Sequence, residues 1–256
     1  MKMKKAFNTI MIVICMTIIF TAHGTAQDPG AKEIVERARD LLQGNSNYSE
    51  VTMTIERPKW TRTLGFKSWM KGTDYALIYI TKPPKEEGQV FLKRQDEMWN
   101  WMPSIDRMIK IPPSMMMQSW MGSDFTNDDL VKESSRVKDY NHTIVGEEKT
   151  GGYDCYKIEM IPHEDAPVVW GKIHTWISKN EYFTLKNEFY DEDGELVNIE
   201  TLSRIRDVGD RTIPTKFELV PVDKDGHKTT MLFDEIKFGI DIKDSFFSIQ
   251  NMKRIR

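Results

Sequence analysis

The residues best suited to chemistry in this chain are soft and apolar rather than titratable. Pro112 to Phe125 reads PPSMMMQSWMGSDF, and seven of the sixteen methionines and three of the seven tryptophans lie between Met98 and Met121. Methionine is flexible and polarizable, and is favoured on surfaces that accept varied apolar partners. Three consecutive methionines cannot share one face of a helix. At least one of Met115, Met116 and Met117 therefore points away from a core, toward a cavity, a lid contact or solvent. Three readings stay open: an ordinary core with an irregular plug, a hydrophobic binding cavity, and a soft-metal site with thioethers on Cu(I). The last lacks any neighbouring His or Cys.

Polar chemistry is sparse by comparison. His142, His163, His174 and His227 are scattered, without a His-Glu-x-x-His or paired-ligand spacing. His163-Glu164-Asp165 sits between Pro162 and Pro167 and reads as a solvated loop. A serine elbow at Ser123 needs glycine where Met121 and Phe125 stand. No glycine-rich phosphate loop and no cofactor motif occurs, so the expectation is a protein that is not an enzyme and carries no cofactor or metal. A carboxylate pair that meets only in space is invisible at this level.

Lys2, Lys4 and Lys5 precede an apolar run from Ile10 to Phe20, and Gly24-Thr25-Ala26 has a small-x-small form. This predicts a leader over residues 1–26, cleaved on export to leave one domain over 27–256. A division near Asp139 is a weaker alternative. Loss of three lysines leaves 33 basic against 39 acidic residues, which argues against a nucleic-acid partner. Cys15 lies within the apolar run, so Cys155 is the only cysteine beyond the leader and no disulfide framework is available.

The elements that must position the Met/Trp segment follow from periodicity. Asp28-Pro29 predicts a helix start; Ile34, Ala38, Leu41 and Leu42 recur at helical spacing, and Gly44 closes the segment. From Val51 onward the period is two, in a series of short segments ending with Thr229 to Phe238, with Gly/Asp turns such as Lys71–Asp74, Asp191–Gly194 and Asp223–Gly226. This predicts a mainly β (α+β) fold: one curved antiparallel sheet, nearly closed as a barrel, with an N-terminal helix. Within Met98–Met102, Trp99 and Trp101 share one face and Met98, Asn100 and Met102 the other. Two stretches interrupt the pattern. In Ser114 to Ser134, Ser114 and Thr126 are candidate helix caps, and Thr126-Asn-Asp-Asp129 has capping-box form. In Asp244 to Asn251, Phe246, Phe247 and Ile249 are expected to dock a short helix.

Trp99-x-Trp101-x-Pro103, Arg107, Lys110-Ile111 and Trp120-Met-Gly-Ser-Asp-Phe125 followed by Asp128-Asp129-Leu130 resemble the LolA-like family of outer-membrane lipoprotein-sorting proteins. The resemblance extends over nearly the whole chain beyond the leader, including Tyr153-Asp-Cys-Tyr156. It implies an incomplete antiparallel barrel, its mouth covered by short lid helices, that carries acyl chains of lipoproteins or lipids toward the outer membrane. It also implies loading by an inner-membrane transporter and delivery to an outer-membrane acceptor. Another reading is a periplasmic structural or interaction domain that partners a membrane exporter without a ligand of its own.

Under this resemblance Trp69, Trp99, Trp101 and Met102 are expected to form the lipid-binding wall. Met115, Met116, Met117, Trp120, Met121 and Phe125 are expected at the lid or mouth, with Gly122-Ser123-Asp124 setting the turn that aims Phe125. The resemblance further implies an arginine latch just beyond a Trp-x-Lys strand end. Trp69-Met70-Lys71 is followed here by Gly72, so either the latch is missing or another residue, Arg62 or Arg107, supplies it.

Overall fold

The computed structural model describes residues 29–132, 136–166 and 168–256. The expected leader and the Asp28 cap lie outside the described residues. Helix α1 spans Ala31–Gln43, with Gly30 at its N-cap. Its apolar positions form one stripe, burying Ile34, Val35 and Ala38. Gly44 ends it with a positive φ of 62°, the conformation that glycine adopts most cheaply.

Thirteen strands then form one antiparallel sheet, in the order β6-β5-β4-β3-β2-β1-β13-β12-β11-β10-β9-β8-β7. The first wing runs β1 (Ser46–Arg57), β2 (Trp60–Lys71), β3 (Tyr75–Lys82), β4 (Val90–Arg94), β5 (Glu97–Met102) and β6 (Arg107–Ile111). The second runs β7 (Tyr140–Thr150), β8 (Tyr153–Pro162), β9 (Lys172–Ser178), β10 (Thr184–Tyr190), β11 (Leu196–Val208), β12 (Arg211–Pro221) and β13 (Lys228–Phe238). Pairing of β1 with β13 joins the wings, while β6 and β7 stay unpaired at the ends, so the barrel is incomplete. Short hairpins connect most neighbours, which explains why regular alternation with Gly/Asp turns read as this architecture.

Strand parity decides which side chains meet. Val51 on β1 pairs with Phe66, Ser49 with Ser68 and Asn47 with Met70 on β2, which puts these residues on the concave side. Tyr48 pairs with Trp69, which puts Trp69 on the convex side. Continuing across the sheet, Trp69 lies opposite Leu77, Leu77 opposite Leu92, and Leu92 opposite Trp99. Trp101 lies opposite Val90 on the same face. The alternation expected of Trp99 and Trp101 against Met98 and Asn100 therefore holds, but both tryptophans face away from the concavity.

The convex apolar patch is covered by the C-terminal stretch. Phe247 and Met252 are fully buried against Leu77, Tyr79, Val90, Leu92 and Trp101. Phe247 stacks on Tyr75 at 5.4 Å and Phe246 meets Trp69 at 5.4 Å. Helix α3 (Ile249–Met252) is capped by Ser248. The docking expected of Phe246 and Phe247 is seen, whereas Ile249 is 42% exposed and Met252 is the buried residue of this helix. A helix this short buries one side, and the phase of its cap puts Met252 on that side.

Candidate functional site

The segment between β6 and β7 crosses the concave side. Pro113–Met115 forms a 3-10 turn with Pro112 at its N-cap, so Ser114 lies inside the turn and is not a cap. Thr126 does cap helix α2 (Asn127–Lys132): Asp129 N–H donates to Thr126 Oγ1 at 3.1 Å, and Thr126 N–H donates to Asp129 Oδ2 at 2.8 Å. Between them the chain makes a tight loop. Trp120 N–H donates to Phe125 O at 2.8 Å, and Ser123 Oγ donates to Trp120 O at 2.7 Å. Met121 and Gly122 take positive φ values of 54° and 78° to close it. A left-handed methionine is costly and survives only where surrounding bonds fix it.

This loop plugs one part of the concavity and borders the rest. Trp120 is 1% exposed and packs edge-on against Phe66 and Phe91, each at 5.5 Å. Met116 and Met121 pack against the same cluster, while Met117 is 54% exposed. Asn127 Nδ2 donates to Met115 O at 2.9 Å, tying the methionine turn to α2. The triple methionine thus divides as its spacing requires, with one side chain turned to solvent.

Beside the plug lies a hollow between the two wings. The hollow is partly open to solvent; the space in it that water-sized molecules can enter is about 140 Å³, and the whole recess, counting the open part, is about 1160 Å³. The apolar lining comes from Val51, Phe66, Ile78, Phe125, Phe189, Phe217, Leu219, Met231 and Phe233. Polar groups also reach it, namely Ser49, Ser68, Asn198, Asp129, Arg136 and Glu200. Asp129 is occupied as a cap and accepts from Trp170 Nε1 at 3.3 Å through its other oxygen. Glu200 accepts from Asn187 Nδ2 at 2.7 Å.

Of the residues expected at the site, Phe125 lines this hollow. Trp120, Met116 and Met121 fill the neighbouring part of the concavity, and Met115 sits half-buried beside them. Met102 ends β5, half-buried and paired with Arg107. Trp69, Trp99 and Trp101 are placed on the convex face, opposite to the wall expected of them, because a period of two fixes their side by pairing parity. The lining that sequence reading missed comes largely from β11, β12 and β13. Inward positions such as Phe217, Leu219, Met231 and Phe233 alternate regularly, and that alternation was the available signal.

The loop is fastened to the barrel by Arg57, at the end of β1. Its guanidinium donates to Asp124 Oδ2 at 3.0 Å and to Gly122 O at 2.8 Å. Thr229 Oγ1 on β13 donates to the same Asp124 oxygen at 2.7 Å. The ion pair is sheltered, with side-chain exposures of 10% and 5%. Neither expected candidate holds this position: Arg62 pairs with Glu86 at 2.7 Å, and Arg107 is exposed. Gly122-Ser123-Asp124 does shape the turn that carries Phe125, and Asp124 also anchors it.

An incomplete antiparallel barrel with a looped-over concavity defines a LolA-like fold. Three solved structures share it at TM-scores above 0.7. A DUF1329 family protein from Desulfovibrio piger is 24% identical, with 88% of this chain and 100% of that chain covered and a TM-score of 0.81. A candidate outer membrane lipoprotein-sorting protein domain from Vibrio parahaemolyticus is 23% identical, covering 88% and 98%, with a TM-score of 0.77. A LolA superfamily protein from Nitrosomonas europaea is 21% identical, covering 87% and 99%, with a TM-score of 0.75. No curated protein matches the chain. A family model described only as "-like: Uncharacterized protein" matches residues 72–254. The chain belongs to that family, and its fold is the one these three structures share.

Among the described residues, no helix is long and apolar enough to cross a membrane. Cys155 is buried and unpaired, and burial pushes its thiol pKa up, away from thiolate reactivity.

Proposed function

We propose that this protein is a non-enzymatic periplasmic carrier that holds acyl chains of a lipoprotein or lipid in the concave hollow and moves them toward the outer membrane. The observation that carries the reading is the hollow itself: aromatic and aliphatic side chains of both wings surround a space that the protein leaves empty. A filled interaction domain has no need of such a space. Burying acyl carbon is worth about 0.8 kcal/mol per methylene, so a long chain represents on the order of 10 kcal/mol gross. A carrier must shield that hydrocarbon from water and still release it.

The size of the void bears on how much hydrocarbon it can take. An engineered void of about 150 Å³ accepts a benzene, so the 140 Å³ here suits one short hydrocarbon segment. A long chain needs the open part of the recess, or movement of the loop that bears Trp120 and Phe125. That loop is the piece Arg57 fastens, which supports its role as the lid. An inner-membrane transporter as loader and an outer-membrane acceptor are the partners this reading implies. Asp129 and Glu200 are read as structural, since each already accepts a hydrogen bond from a fixed neighbour.

Native mass spectrometry with lipid extraction, on protein purified from its periplasm, tests the reading. Co-purified acylated protein or lipid is the expected result. Ligand-free protein that also fails to take up a fluorescent acyl probe overturns it.

A further inference from the structure

Arg136 lines both the hollow and the adjoining recess beneath α1. Its guanidinium stands over the Phe189 ring at 5.1 Å, and its backbone carbonyl accepts from His142 Nε2 at 2.8 Å. Among the described residues it has no ion pair and no side-chain hydrogen bond. The other arginines that are not fully exposed are all engaged. Arg39 meets Asp40, Arg57 meets Asp124, Arg62 meets Glu86, Arg206 meets Thr215 and Phe233, and Arg211 meets two carbonyls of α1. A guanidinium presents five N–H donors, so sheltering it without an acceptor in contact is unfavourable. The two carboxylates that share the lining are occupied by Thr126 and Trp170, and by Asn187.

A second observation points the same way. Ser49, Ser68 and Asn198 also line the hollow and are only 4%, 8% and 6% exposed. Among the described residues their side chains have no hydrogen-bond partner. Their hydroxyl and amide groups border the hollow, where a guest that carries oxygen can reach them.

We propose that the hollow takes an anionic amphiphile, whose carboxylate or phosphate pairs with Arg136 while its hydrocarbon lies among Phe66, Phe217, Met231 and Phe233. This rests on the carrier reading and narrows its cargo. A bare acyl chain without a polar head satisfies none of these polar groups. Guanidinium–carboxylate and guanidinium–phosphate pairs are bidentate and directional, which gives a selection that apolar burial lacks.

The test is displacement of a fluorescent apolar dye from the full chain by oleate, lysophosphatidate, oleyl alcohol and inorganic phosphate. Oleate or lysophosphatidate is expected to bind at least about tenfold more tightly than oleyl alcohol, the scale set by one charge-assisted contact. Arg136→Gln is expected to erase that preference, chiefly by weakening oleate and lysophosphatidate, and Arg136→Lys to retain part of it. Equal binding of oleate and alcohol, or a preference that survives Arg136→Gln, overturns the proposal and leaves the carrier reading intact. Inorganic phosphate competing as well as lysophosphatidate overturns it in favour of a free-anion site. Failure of all three amphiphiles to bind removes the carrier reading along with it.

Discussion

Removing Arg57 should both destabilise the fold and loosen the lid. In Arg57→Met the guanidinium leaves Asp124 Oδ2 and Gly122 O, contacts of 3.0 and 2.8 Å. Asp124 then stays sheltered at 5% exposure without its cation. Breaking a buried pair from one side costs about 3–5 kcal/mol. Thr229 Oγ1 still donates to Asp124 at 2.7 Å, which favours the lower end, about 3 kcal/mol. For a domain of this size each kcal/mol shifts Tm by about 2–4 °C, so a fall of about 6–12 °C is expected. Adding Asp124→Leu removes the stranded charge and should restore most of the loss. Thermal unfolding measures this half. Stopped-flow release of a bound acyl probe measures the other, and release should be faster in the single variant because the loop bearing Phe125 is freed. A single variant that melts with wild type and releases at the same rate refutes the reasoning.

Other perturbations separate the concave from the convex face. Phe247→Ala should cost about 3–5 kcal/mol in denaturant unfolding, because the ring is fully buried under the C-terminal stretch, yet probe uptake should persist. Phe233→Asp should abolish uptake while far-UV circular dichroism stays that of the folded sheet, because the ring lines the hollow. His142 has its pKa lowered from 6.5, first by burial, against an opposing bond to the Arg136 carbonyl. The unfolded chain therefore binds the proton more readily, and this residue's contribution to stability falls as pH drops below about 6.5. Urea midpoints of wild type and His142→Gln should converge or cross as pH is lowered through that window, and a constant difference between them counts against it.

Much of the fold was legible in residue order because one rule governs most of the chain. Period-two alternation and Gly/Asp turns mark thirteen strands, and one sheet takes them all. The capping box at Thr126 and Asp129 was legible too, since it is a local bond. What was not legible was which side of the sheet encloses space. The rows of Trp69, Trp99 and Trp101 and of Phe217, Met231 and Phe233 have equal claim to be an inner face until pairing register is known. The richer row turned out to be covered by the chain's own C-terminus. Arg57 was hidden for a similar reason: its partner Asp124 is 67 positions away, and only the loop folded back over the sheet brings them together. Arg136 announces itself only by lacking the partners that comparable arginines have.

The central claim is that hydrocarbon occupies the concave hollow and not the tryptophan-rich convex face. Photo-crosslinking tests it most directly, with a photoreactive residue placed at Met231 in one protein and at Trp101 in another, each expressed in its native host. The account expects a lipid or acylated-protein adduct at position 231 and none at position 101. An adduct at position 101 alone, or at neither position, contradicts it.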